Sequence, residues 1–160
     1  MEPNEKQLEK AKEVYANLCK MLDEDEWKYN KDEEKMVIYF TTRGEDIPMD
    51  FVLYIDPSPG LIRLLSRLPF EINKEKMIDA AIAVCAINYR LINGSFVIDI
   101  TDGDLLFRMN QAYIDSEIGP ELFKYMVFSS IFMVDEYNDK FLMLNKGNLS
   151  INDFLTEING

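Results

Sequence analysis

Histidine is absent from all 160 residues. Its absence removes Ser-His-Asp and Cys-His nucleophilic systems and the commonest transition-metal ligand. Cysteine is nearly as scarce. Cys19 and Cys85 are the two, and two distant thiols cannot build a zinc site. They fall in separate predicted helices, so no disulfide is implied and a reducing cytosol fits. Cys85, between Val84 and Ala86, reads as a small buried hydrophobe. Neither G-x-x-x-x-G-K-S/T nor G-x-G-x-x-G occurs, so no glycine-rich phosphate cradle is present. Positive charge is short as well, with 17 Lys and Arg against 29 Asp and Glu and a net charge of −12. Phosphate backbones and anionic lipid would repel such a chain, which argues against nucleic acid and membrane surfaces as partners. The longest apolar-rich run, Tyr125 to Val134, is too short to span a bilayer and carries two serines. The polar, acidic opening MEPNEKQLEK is wrong for a signal peptide, and the expected location is cytoplasmic.

Acidic residues are plentiful, but their spacing carries no chemistry. The turn Asp99-Ile-Thr-Asp-Gly-Asp104 invites comparison with a calcium loop. Setting Gly103 as the invariant glycine puts Ile98 and Ile100 at the first two ligand positions and Met109 at the bidentate one, so the loop fails. Many carboxylate pairs exist among the 29 acids, and nothing marks one pair as buried. The expectation is a chain with no catalytic residue, no cofactor and no metal.

Apolar residues make up 48% of the chain and include ten Phe, eight Tyr and one Trp. A chain of this length buries about 68–70% of its unfolded surface and folds without a disulfide or metal staple. One domain over residues 1–160 follows. Residues 1–22 hold an amphipathic helix, with Leu8, Ala11, Val14, Tyr15, Leu18 and Leu22 at helical spacing. Two charge runs surround Trp27 and Tyr29, which tuck into the core or begin an edge strand. Sheet and middle helix occupy 36–110. Strands over Met36–Thr42, Met49–Ile55 and Leu61–Leu68 are separated by turn residues. A helix over 74–92 follows, capped by Asn73 and stopped at Asn93-Gly94. Then comes a hairpin turning at Asp102-Gly103, read as a type I′ turn. That turn sets Ile100 opposite Leu105, Ile98 opposite Phe107, Phe96 opposite Met109 and Val97 opposite Arg108, with Asp99 diagonal to the arginine. A long helix over 120–145 runs from Pro120 to Gly147, and a short one fills 150–158. The class is α+β, an antiparallel sheet of about five strands in the order α-β-β-β-α-β-β-α.

The middle helix is apolar or small at every position from Ala80 to Ile87. A helix lying on one sheet needs a single apolar stripe, so this one requires cover on a second side. Either another helix of the same chain supplies it, or a second subunit does. The small residues Ala80, Ala83 and Ala86 would let another backbone approach closely. The short C-terminal helix either folds back onto the domain or serves as a detachable contact element. Function divides the same way. One reading is a non-catalytic protein-binding domain. The other is a small-molecule sensor or carboxylate enzyme with a pocket between the sheet and the long helix.

The segments Arg67-Leu-Pro-Phe-Glu-Ile-Asn73, Ala-Ile-Asn88-Tyr-Arg90 and Gly94-Ser-Phe-Val-Ile-Asp-Ile-Thr-Asp-Gly-Asp104, with the element order, resemble the YbjN-like family of bacterial sensory-transduction regulators. That family shares the fold of class I type III secretion chaperones, and the resemblance covers about Leu8 to Leu144. It implies a helix-packed antiparallel sheet, no known catalytic residue and a role in protein contact. In those chaperones the middle helix commonly forms the dimer interface. Carried over, this names Ala80, Ala83, Val84 and Ile87 as candidate interface residues and a homodimer as the expected state. A partner segment, apolar and basic in character, would be captured on a sheet face or edge. The tail from Ser150 departs from the pattern and lies where it could cover such a groove.

Overall fold

A computed structural model describes residues 2–159. Helix α1 (Glu5–Glu24) opens with a reciprocal cap, in which Asn4 Oδ1 accepts from the Gln7 amide and Gln7 Oε1 accepts from the Asn4 amide. Its buried side, including Ala11, Val14, Leu18 and Leu22, packs against the sheet and the long helix. The sheet has six antiparallel strands, β1 (Asn30–Asp32), β2 (Val37–Arg43), β3 (Pro48–Asp56), β4 (Leu61–Arg67), β5 (Ser95–Ile98) and β6 (Leu105–Ala112). Their spatial order is β1-β2-β3-β4-β6-β5. The strand beyond the expected five is β1, which grows from the Trp27–Tyr29 stretch.

Alternation sets one face inward. Ile38 pairs with Leu53, Leu53 with Leu64, and Leu64 with Met109, and all four are buried under the helices. A one-residue slip would turn this row to solvent, and each side chain contributes roughly 1.5–3 kcal/mol when buried. The opposite face carries the row Tyr39, Val52, Leu65 and Arg108. Those side chains are half-buried or exposed.

The hairpin keeps the expected faces but not the expected register. Ile98 pairs with Leu105 and Phe96 with Phe107, so the connection runs over residues 99–104. Asp99 folds inside it, accepting from Thr101 Oγ1 at 2.6 Å and from the Thr101 amide at 2.8 Å, which holds its carboxyl below the usual range. Gly103 is required for a reason other than a tight turn. It has φ +86°, and a Cβ there would run into the backbone of Ile72, whose N–H donates to Gly103 O at 2.9 Å. Ile100 is exposed. Arg108 lies opposite Ser95 rather than Val97, and its Nε donates to Ser95 Oγ at 3.4 Å.

Asn73 is not a helix cap. It leads into a 3₁₀ turn (Lys74–Lys76), and its own side chain makes no capping bond there. Its N–H donates to Asn145 Oδ1 at 2.8 Å and its side chain to Asn145 O at 3.3 Å, while Asn145 Nδ2 donates to Glu71 O at 2.9 Å. The two asparagines thereby clip the entry of α2 (Met77–Arg90) to the end of α3 (Pro120–Lys146). Helix α2 stops at Arg90, with Leu91 extended, so Gly94 does not close it. Gly94 has φ +75° and lies so close to the Phe107 ring that a Cβ would strike it.

Helix α3 has its expected span. Pro120 sits in its first turn, and Gly147 at φ +76° ends it, with the Asn148 amide donating to Met143 O at 2.9 Å. Helix α4 (Ile151–Asn159) starts at Ser150, whose Oγ accepts from the Asp153 amide at 3.1 Å. Phe154 and Ile158 are buried, with Phe154 against the Phe141 ring at 5.6 Å. The tail has therefore folded back onto α2 and α3.

Candidate functional site

Helix α2 carries two apolar stripes. Ala80, Ala83 and Ile87 are 0% exposed and Val84 is 8% exposed. They form the inner stripe, packed toward α4, β5 and α3. The four candidate interface residues are thus already covered within one chain. The outer stripe is Ile78, Ile82, Cys85 and Tyr89. Ile78 is 76% exposed and Tyr89 is 92% exposed, and Ile92 just beyond the helix is fully exposed. Cys85 is exposed rather than buried, because α4 seals only the other side. Both stripes are apolar, so periodicity alone could not say which one the chain itself would cover.

Next to the inner stripe, Asn88 secures the sheet edge. Its Oδ1 accepts from the Phe96 amide and its Nδ2 donates to Phe96 O, both at 2.9 Å. The side chain occupies the two backbone groups at the position where another strand would have bound. Edges closed in this way resist strand addition.

The opposite edge is more open. β1 ends opposite Tyr39, so β2 from Phe40 to Arg43 has no paired strand on its outer side among the described residues. A shallow hollow of about 560 Å³ opens there, lined in part by Tyr29, Tyr39, Thr41 and Asp50. Trp27 packs edge-on against Phe40 at 5.3 Å and against Phe128 of α3 at 5.8 Å. The apolar-rich run from Tyr125 to Val134 falls in the first half of α3, and its composition alone does not separate the faces. Phe123, Met126, Val127 and Val134 go into the core, while Tyr125, Phe128 and Phe132 form an exposed line.

Cys19, Tyr15 and Tyr29 are held in their neutral forms. Burial pushes the Cys19 thiol up, and burial likewise raises the Tyr15 and Tyr29 hydroxyls well above the ordinary phenol range. Tyr29 Oη donates to Asp23 Oδ1 at 2.7 Å. The buried polar side chains among the described residues are Ser66, Ser130, Asn138 and Asn145, with no Asp or Glu in the set. No group of three Cys, Asp or Glu side chains is gathered to hold a metal ion among the described residues. No described helix is long and apolar enough to cross a membrane.

Residues 15–143 match the profile of a family described as "YbjN: Putative bacterial sensory transduction regulator". Among solved structures, the chain is similar to that of YbjN from E. coli, described as a putative transcription regulator. The TM-score is 0.59 at 14% identity, covering 79% of this chain and 92% of that one. It is also similar to a chain of the ExsC–ExsE complex, with a TM-score of 0.57 at 9% identity, covering 81% of this chain and 93% of that one. At these identities the likeness is one of fold, the type III secretion chaperone-like fold. No curated protein matches the sequence.

Proposed function

Because the chain belongs to the YbjN family, whose profile spans residues 15–143, we propose that it is a non-catalytic protein-binding domain of regulatory or chaperone-like type. It works as a homodimer through the outer side of α2, in the cytoplasm, and captures an apolar partner segment. The observation that carries this reading is the outer α2 stripe, left uncovered on a helix whose inner side α4 has sealed. Its spacing is symmetric. Positions 78, 82, 85 and 89 read the same in either direction, so two copies crossing antiparallel set Ile78 of one on Tyr89 of the other and Ile82 on Cys85. Such a surface is self-complementary under a two-fold axis. ExsC, which has the same fold, is solved together with ExsE, so a protein partner can be seated on this architecture. The absence of histidine, the raised Cys19 thiol and the lack of a buried carboxylate among the described residues all weigh against the enzymatic alternative.

The test is the solution mass by light scattering, with circular dichroism to confirm folding. The wild type is expected at twice 18.7 kDa, and Ile82→Glu as a folded monomer. Ala83→Glu would instead damage the core, since Ala83 is fully buried. In the dimer each Cys85 lies near the axis, and helices in contact are about 8–10 Å apart, so a short bis-maleimide should link the two copies. A wild type that is monomeric and does not cross-link would sink the α2 dimer.

A further inference from the structure

We propose that the first half of α3 is a docking strip for a basic amphipathic helix. The inference rests on the protein-binding reading for its context, but its geometry is that of α3 alone. Tyr125, Phe128 and Phe132 are 47%, 54% and 62% exposed and lie at helical spacing on one line of about 10 Å. Trp27 wedges beside Phe128 and makes the line continuous with the core. Aromatic side chains each offer a large area for burial, and a row of them on an open face marks an interaction surface.

The rim identifies the partner's charge. One turn beyond each end of the line stand Glu121 and Glu136, both exposed. On one flank, Asp135 accepts from the Glu45 amide at 3.1 Å and brings Glu45 and Asp46 alongside. The cations on α3 near the line are already engaged. Lys124 pairs with Asp25 at 3.2 Å and Lys140 with Glu136 at 3.3 Å, so the rim carboxylates without a paired cation among the described residues are Glu121 at one end and Asp135, Glu45 and Asp46 beside the other. An apolar line closed by carboxylates at both ends fits a segment whose apolar stripe is bracketed by Lys or Arg. A helical ridge of knobs at i, i+3 and i+7 fits the grooves of another helix, whereas a strand would need the backbone edge of β2. A second copy of this chain would set the same acidic rim against itself, and an anionic lipid surface would meet the same repulsion.

The probe is a fluorescein-labelled synthetic peptide of about 18 Leu and Lys residues, ~27 Å as a helix, with its leucines on one face. The control has the same composition in scrambled order. Anisotropy reads binding, and emission from Trp27, the single tryptophan, reports whether the peptide sits at the strip. The patterned peptide should bind at least tenfold more tightly than the scrambled one and weaken as salt screens the rim. Phe132→Ser and the Glu121→Lys, Glu136→Lys double variant should each weaken it about fivefold or more, while Ile100→Ser at the exposed hairpin loop leaves it unchanged. Equal binding of the two peptides, or variants that bind like the wild type, would overturn the proposal. So would a change in oligomeric mass caused by Phe132→Ser, which would assign the strip to self-association. Loss of peptide binding with the α2 dimer intact defeats this inference alone. A monomeric wild type that still binds the patterned peptide defeats the dimer alone.

Discussion

Asn88 shows how much one side chain can decide. It completes the outer hydrogen bonds of β5 at Phe96, one donated and one accepted. Asn88→Leu leaves a backbone N–H and a carbonyl without partners, which costs about 1–3 kcal/mol for a buried group, and should be read as a lower urea midpoint. Asn88→Asp separates the two bonds. An ionised carboxylate still accepts from the Phe96 amide but has nothing to donate to Phe96 O. The folded state then favours the protonated acid, so the folded pKa is raised. The stability recovered by protonation is full below the unfolded carboxyl pKa of about 3.9 and is lost as pH rises through the folded value. The gap between Asn88→Asp and wild type should therefore narrow on acidification, and a gap independent of pH would refute the donor role. The segment around Asn88 could be marked in the sequence, but its role could not, because the bond joins a helix to a strand edge eight residues away. Asn73 was legible in the same limited way. An asparagine before a helix is a fair cap, and only the fold shows that Asn145 competes for it.

Elements were read more completely than the contacts between them. The first helix, strands β2 to β4 and the long helix fell where hydrophobic period and turn residues put them. The hairpin misled because Asp-Gly is a strong local signal for a two-residue turn, yet the Ile72 backbone bonds to Gly103 and opens a longer loop. Ambiguity in α2 had a different source, since a helix apolar on two sides does not disclose which side its own chain will cover. Helix α4 supplies that information, though it lies beyond the family match and could be read from sequence as cover or as a detachable arm. Phe154 is fully buried and stands against Phe141. Phe154→Ala should cost about 3–5 kcal/mol, because a large ring is lost and the cavity between α2 and α3 collapses only partly. A loss below about 1 kcal/mol in chemical denaturation, small for a buried ring, would mean that α4 is a detachable arm after all.

The whole molecule has an unusual titration. With no histidine, no side chain has an ordinary pKa between about 5 and 8, so its charge stays near −12 through neutrality. Stability should be level there. The alkaline limb is set by groups buried in their neutral forms. Burial raises Cys19 from a reference of 9.0 and raises Tyr15, Tyr29 and Tyr113 from 10.0. Above those reference values the unfolded chain gives up protons that the folded chain retains, so stability falls as pH climbs. Asp99 and Asp32 act at the other end. Hydrogen bonds from Thr101 lower the first and the Lys35 amide lowers the second, so their contribution is present at neutral pH and lost as pH falls through the folded values. Urea midpoints should form a plateau from about pH 5.5 to 8 and decline above about pH 9, and Tyr15→Phe should soften the decline. A step between pH 6 and 8 would contradict this account. A level response to protons near neutrality is the expected behaviour of a chain without histidine. A regulatory role exercised through binding fits that profile better than one exercised through protonation, which returns the weight to the two uncovered lines on α2 and α3.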